Sequence, residues 1–329
     1  GTPLLSSHQS PPFAIENVRV LDLGWVVAGA GGGSYLASLG AEDIRVEWKG
    51  QPDNIRRGGT TIPVGEERDR VLRGESVLPT WVGQNQSGSF ADVNLGKRGI
   101  GLNLRHEKGR ELLKELVRVS DIIVENFTAT TMDKLGLGYE ELRQVNPSII
   151  YIQQPGFGKK GLYADFKSSA PVAEAFTGIT EMSGLPSPYK PAGWGTFYLD
   201  YSATYCCAMA MLSALYHRTQ TGRGQYIDSS LAEYGICMTG TAILDYSANG
   251  RSWDRIGNRS PYKPAAPHGI YRCKGKERWI AIACFTDDEW RAMAQVLGSP
   301  AWTRDPKFAT LGWRMQQQEE LEVLVQEAT

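Results

Sequence analysis

The chain has 329 residues, 41% of them hydrophobic, enough for one large domain or two of ordinary size. Its 35 basic and 36 acidic side chains nearly cancel, which excludes a global field suited to nucleic acid or an anionic membrane surface. No apolar run approaches the roughly 18 residues of a membrane span. The polar, Pro/Ser-rich stretch from Gly1 to Pro12 lacks the pattern of a signal peptide and reads as a disordered tail. Val18 to Leu23 is a short strand pattern. The small-residue run AGAGGG at 28–33 reads as a turn, followed by a helix from Ser34 to Leu39. Strand patterns recur at Asp43 to Trp48 and, by alternation of Ile100, Leu102 and Leu104, at Gly99 to Leu104. Glu107 to Val119 is an amphipathic helix with Leu112, Leu113, Leu116 and Val117 on one face. Two buried strands, Asp121 to Glu125 and Ser148 to Gln153, flank a further helical segment. This alternation predicts an α/β fold, a parallel sheet covered on both faces.

Beyond the sheet pattern, Gly184 to Gly195 is rich in Gly and Pro, and Tyr201 to Arg218 is the longest apolar helix pattern, expected to be deeply buried. Asp200 immediately precedes it. TGRGQ at 221–225 reads as a turn, with strand and helix patterns continuing to Asn249. Gly269 to Cys273 and Arg278 to Cys284 flank a charged KGKE turn and predict a hairpin, with a helix at Asp287 to Leu297. This last part reads as a smaller α+β domain. The predicted organisation is a large domain over 14–222, a linker over 223–250 and the small domain over 251–329. Gly50 to Lys97 and Gly156 to Pro188 read as long irregular loops leaving the carboxyl ends of strands, where open α/β sheets bind ligands.

Candidate chemistry is sparse. Cys206, Cys207, Cys237, Cys273 and Cys284 form no CxxC pair, and with only four scattered histidines they predict reduced thiols in a cytoplasmic protein and no metal site. Gly29 and Gly31 fit the start of GxGxxG, with Glu47 near the place of a ribose-binding acid, but Ser34 stands where the third glycine belongs. An NAD-dependent dehydrogenase is therefore an alternative, and a packing role for the glycines is the stronger reading.

Four segments in order carry a family resemblance. They are VRVLDLG with AGAGGGSYLASLGAEDIRVE over 18–47, NLGKRGIGLNLRHEKGRELLKELVRVSDIIVENF at 94–127, LGLGYEELRQVNPSIIYIQQPGFG at 135–158, and Asp200 followed by TGRGQYIDSSL at 221–231. Together they resemble class III coenzyme A transferases, the carnitine-dehydratase and bile-acid-inducible type that includes formyl-CoA transferase. The resemblance implies a Rossmann-like large domain, a smaller second domain and an interlocked homodimer. It also implies a C-terminal segment returning to the large domain, which this chain is expected to lack. The implied activity moves CoA from an acyl-CoA donor to a free carboxylic acid acceptor. CoA is then a substrate, and no tightly bound cofactor is needed.

By the same resemblance Asp200 matches the catalytic nucleophile, which would carry CoA as an aspartyl thioester. Its position also suits an N-cap, and a helix N-terminus would keep its carboxylate ionised. Asn126 and Phe127 match a CoA-contacting pair. Lys134 and Lys167 match basic positions near CoA, Leu102 an apolar position beside the adenine, and Val26 and Ala28 the first turn. Trp48 and Lys49 stand where arginines often approach the adenine; Trp48 is suited to stacking on the base or to filling core. Arg223 reads as a structural turn residue. Val27 replaces a glutamine that helps hold intermediates in formyl-CoA transferase, and SPYKPAAPHGIY at 260–271 replaces that enzyme's mobile glycine loop. Both departures argue against formyl/oxalate specificity. Tyr262 and His268 in this stretch are candidate substrate contacts. A related acyl-CoA racemase activity is the nearer alternative. It pairs the aspartate with a histidine about thirty residues earlier, and here no histidine lies between His106 and His217.

Overall fold

A computed structural model describes residues 13–57, 65–75, 85–193 and 195–329. The expected polar tail therefore lies outside the described residues. The chain divides into two compact units, one formed by residues up to Thr180 with Gly193–Arg251, the other by Glu181–Ala192 with Ser252–Thr329.

The first unit is built on six strands: β1 (Arg19–Asp22), β2 (Glu42–Glu47), β3 (Arg98–Gly101), β4 (Ile122–Glu125), β5 (Ile150–Gln153) and β6 (Tyr226–Asp228). All are parallel, in the order β3-β2-β1-β4-β5-β6. Strand order reverses between β1 and β4, the place where such sheets bind ligands at their carboxyl ends. Its helices are α1 (Ala28–Ser38), α2 (Gly65–Leu72), α3 (Gly88–Val93), α4 (Glu107–Arg118), α5 (Thr131–Lys134), α6 (Tyr139–Val145), α7 (Ala170–Phe176), α8 (Tyr198–Thr221), α9 (Leu231–Met238) and α10 (Gly240–Asn249). The stretch 223–250, read from sequence as a linker, thus carries β6, α9 and α10 within this unit.

Strand alternation sorts the core into two layers. Val20, Ile122, Val124, Ile150 and Ile152 meet Leu36 of α1 and Cys207, Met211 and Leu215 of α8. Leu21, Ile123 and Tyr151 face the other way, onto Leu113 and Val117 of α4, Met132 of α5 and Leu142 of α6. Leu112, expected on the buried face of α4, is 45% exposed. It is one residue before Leu113 and so about 100° around the helix from the core.

Three expectations are corrected here. The glycine run is not a turn before a helix: it lies inside α1. A β-carbon on Gly31 would fall 2.6 Å from Thr204 Oγ1, and one on Gly32 would fall 2.9 Å from Cys207 Sγ, both on α8. The glycines are there because α1 and α8 approach closely, which also removes the dinucleotide-turn reading. We expect Gly31→Val to destabilise the protein by about 2 kcal/mol or more through overpacking against the Thr204 side chain, measurable as a fall in the denaturation midpoint. The long loops are also interrupted, by α2 and α3 in the first and by α7 in the second. Finally, α8 is buried on one face only. Tyr205, Met209, Leu212 and Tyr216, spaced by three or four residues, are 55%, 66%, 36% and 70% exposed.

The second unit holds the antiparallel hairpin β7 (His268–Arg272) and β8 (Trp279–Ala283), with α11 (Asp287–Val296), α12 (Leu311–Gln316) and α13 (Gln318–Ala328). Thr286 and Glu289 form the capping box that starts α11. Its core joins Tyr271, Trp290, Phe308, Leu321 and Val325. The fully buried Arg314 guanidinium donates to Ala266 O, Phe308 O and the Asp287 carboxylate, so its charge is paired.

Candidate active site

Asp200 does not precede the long helix. It is the third residue of α8, whose N-cap is Phe197. The helix starts earlier than the apolar pattern because Tyr198 and Leu199 already wind into it; Leu199 is buried among Ala28, Ala170, Ala173 and Ala203. In that setting the Asp200 carboxyl is largely withdrawn from water. Burial, and after it the charge of Glu174, push its pKa up to about 7. Lost hydration and a like charge thus oppose the ionised form that the helix N-terminus is expected to favour. Glu174, on α7, is buried and accepts a hydrogen bond from Leu199 N at 3.1 Å. Its position fixes a carboxylate next to the Asp200 turn. No sequence motif marked it, because it sits in a stretch that reads as loop.

The segment Gly24–Ala28 joins β1 to α1 at the switch point and touches both the Asp200 turn and a neighbouring cavity. On one side Thr204 Oγ1, one turn beyond Asp200, donates to Val27 O at 3.2 Å and to Asp200 O at 3.0 Å. On the other, Asn126 brackets Trp25: its Oδ1 accepts from Trp25 N at 2.7 Å and its Nδ2 donates to Trp25 O at 2.9 Å. Trp25 then meets Phe127 edge-on, centroids 6.0 Å apart. Both rings line a cavity of about 260 Å³ at the carboxyl ends of the first four strands, with Leu23, Trp48, Leu102 and Leu135. Gln51, Asn103, Arg105 and Thr131 supply polar edges. Flat apolar walls with a few polar groups suit a heteroaromatic ring.

The candidate CoA residues divide accordingly. Trp48, Leu102 and Phe127 line this cavity. Lys49 lines an adjoining open groove of about 350 Å³ with Arg45, Arg56 and Asn85. Lys134 is exposed at the end of α5, between the cavity residues Thr131 and Leu135. Asn126 commits its amide to Trp25, so it shapes the segment from behind. Val26 packs with Val27, Ile55 and Phe90, and Ala28 is buried beside the Asp200 turn. Lys167 is exposed on the chain between β5 and α7, outside the cavity lining. Arg223 is exposed in the turn after α8. Tyr262 and His268 belong to the second unit, where Tyr262 meets Trp253 and His268 Nδ1 donates to Asn258 O.

Two further groups escaped the sequence reading. Glu125, at the end of β4, is buried; burial pushes its pKa up to about 8, although its carboxylate accepts from Phe127 N at 2.7 Å. Below the switch point lies a buried ionic network. Lys97 Nζ meets Asp22 at 2.5 Å, and Arg45 meets Asp53 at 2.6 Å and Glu47 at 3.2 Å. Asp43, buried beside them, has no hydrogen-bond partner among the described residues, and burial and Asp22 raise its pKa well above the usual range. The signal was present in DIRVEW: charges at 43 and 45 inside a strand covered on both faces must be paired or neutralised.

A family model described as CoA-transferase family III matches residues 15–329. This chain belongs to that family. It is 32% identical to acetyl-CoA:oxalate CoA-transferase of Acetobacter aceti, over 97% of this chain and 75% of that protein. It is 34% identical to succinyl-CoA–D-citramalate CoA-transferase of Chloroflexus aurantiacus, over 97% and 73%. A crystal structure of a CAIB/BAIF family protein from Brucella suis superposes with a TM-score of 0.82 at 31% identity, covering 95% of this chain and 77% of that one. This family III chain is thus a class III CoA-transferase, and its relatives use CoA thioesters. Among the described residues no helix is long and apolar enough to cross a membrane.

Proposed function

We propose that this enzyme transfers CoA from an acyl-CoA donor to a free carboxylic acid, with Asp200 as the covalent carrier. The supporting observation is an acid at the head of α8, withdrawn from water beside Glu174, one loop away from an aromatic-lined cavity. An Asp200 oxygen attacks the thioester carbonyl. CoA thiolate leaves, giving a mixed anhydride between the donor acyl group and Asp200. The thiolate then attacks the aspartyl carbonyl, releasing the donor acid and leaving CoA on Asp200. The acceptor carboxylate attacks this thioester and expels the thiolate. The thiolate attacks the acceptor's acyl carbon, giving the new acyl-CoA and restoring the Asp200 carboxylate. Bonds balance, no proton is consumed, and thioester energy is kept.

Burial and the Glu174 charge both penalise the ionised nucleophile. Both penalties vanish once Asp200 is acylated and neutral, so the same features that raise its pKa favour attack. The cavity holds the adenine end of CoA, with Trp48, Leu102 and Phe127 as its walls and Lys49 and Lys134 near its phosphates. The exposed stripe on α8 supports a homodimer, since a monomer gains nothing from an apolar row in water. Five free cysteines suit a reducing compartment, and we place the enzyme in the cytoplasm.

The test is incubation with a panel of acyl-CoAs followed by hydroxylamine, which displaces CoA from an acyl thioester and leaves a hydroxamate. Peptide mass analysis should find it on Asp200, with the productive acyl-CoAs naming the donor. A hydroxamate on another carboxyl, or none with a donor that turns over, removes the assignment.

A further inference from the structure

Val26 has φ of +60°. A β-branched residue pays for that conformation through its Cβ, and it persists only where surrounding contacts over-determine it. Here the contacts are identifiable. Val26 N donates to Asp53 Oδ2 at 2.9 Å. The same oxygen takes Arg45 Nη2 at 2.6 Å, while Asp53 Oδ1 takes Ile55 N at 3.1 Å. Arg45 Nη1 reaches forward to Gly24 O at 2.7 Å, and Asp22 Oδ1 accepts from Gly24 N at 2.6 Å. Asp53 and Arg45 are almost fully buried, so each bond forms away from competing water. One residue before Val26, Trp25 faces the cavity; one residue after it, Val27 O receives Thr204 on the nucleophile's helix. The backbone twist at Val26 is what lets consecutive residues address the two sides.

We propose that the Arg45–Asp53 pair is a positioning clamp that holds Val26 in the left-handed conformation and so keeps the CoA-side wall in register with the Asp200 turn. Neither side chain reaches the reacting atoms; both act through the main chain of Gly24 and Val26. The effect on turnover rests on the transferase reading above, whereas the linkage between positions 53 and 26 does not depend on which carboxyl carries CoA.

Asp53→Ala tests the clamp. It removes both oxygens on which the three donors converge, so no side-chain acceptor is left for Val26 N. Arg45 keeps Glu47 and Asp22, so its charge is not stranded. The substitution is made in the natural sequence and in a Val26→Gly background, because glycine adopts φ of about +60° without the Cβ penalty that valine carries. Expected is a tenfold or larger loss of kcat/KM from Asp53→Ala in the natural background and a threefold or smaller loss in the Val26→Gly background, measured with whichever acyl-CoA the unaltered enzyme turns over. An equal loss in both backgrounds overturns the clamp, as does no loss in either. If Asp53→Ala alone does not yield folded protein, the double variant must fold and turn over, and its failure also overturns the proposal. Hydroxylamine labelling of the unaltered enzyme is read separately: a label away from Asp200 defeats the nucleophile assignment and leaves the coupling result standing.

Discussion

Asp200→Ala is expected to lower CoA transfer by roughly ten-thousand-fold or more, while CoA affinity stays within about threefold of the unaltered enzyme. The asymmetry follows from geometry. The carboxyl makes the bond on which the proposed reaction depends, whereas the aromatic cavity is lined by other residues entirely. Asp200→Asn is the stricter comparison, since it keeps the shape and removes the nucleophilic oxygen pair. Calorimetric titration with CoA and a transfer assay on the same preparation check the two halves together. Unchanged turnover in either variant would sink the mechanism.

The second large effect concerns Glu174. In the unaltered enzyme the acid limb of the kcat/KM profile should lie near pH 7, where the Asp200 carboxyl ionises. Glu174→Gln keeps an oxygen to accept from Leu199 N but removes the neighbouring negative charge. The limb should then move to lower pH, though not to that of a free aspartate, because burial is the larger cause and remains. A shift of one unit would raise the ionised fraction at pH 6 about fivefold. Above the limb the sign reverses: a less basic carboxylate is a weaker nucleophile, so the plateau should fall. The two profiles should therefore cross.

Stability follows the same linkage. Asp200 has a raised pKa in the folded state, so the fold binds its proton more tightly than the unfolded chain does. Stability is accordingly lost as pH rises from about 4 to about 7. Glu174→Gln should soften that loss, visible as a melting temperature that rises more at pH 8 than at pH 4. Parallel profiles and parallel melting curves would mean that Glu174 does not sense Asp200.

Sequence reasoning was strongest where a local pattern has one physical solution. The short apolar runs of Val18 to Leu23 and Ser148 to Gln153, set between helical patterns such as that of 107–119, fit a parallel sheet packed on both faces. The KGKE turn between two alternating runs could only close a hairpin. Asp200 stood out through four family segments in order, and the family match bears out the resemblance that pointed to it. Yet the same local reading made the glycines of α1 a turn, because nothing within 28–33 reveals that α8, over 160 residues later, needs their missing side chains.

The sequence by itself determined the fold class, the family and the acid at the head of the apolar helix, all of which follow from short-range pattern and order. Only the tertiary structure decided how Asp200 titrates, that Glu174 faces it, and that Arg45 and Asp53 meet beneath Val26. Electrostatic free energy depends on the distance between charges and on the water they have lost, and both are set by residues remote in the chain. A backbone held at positive φ is likewise a property of the contacts around it, since valine on its own would choose another conformation.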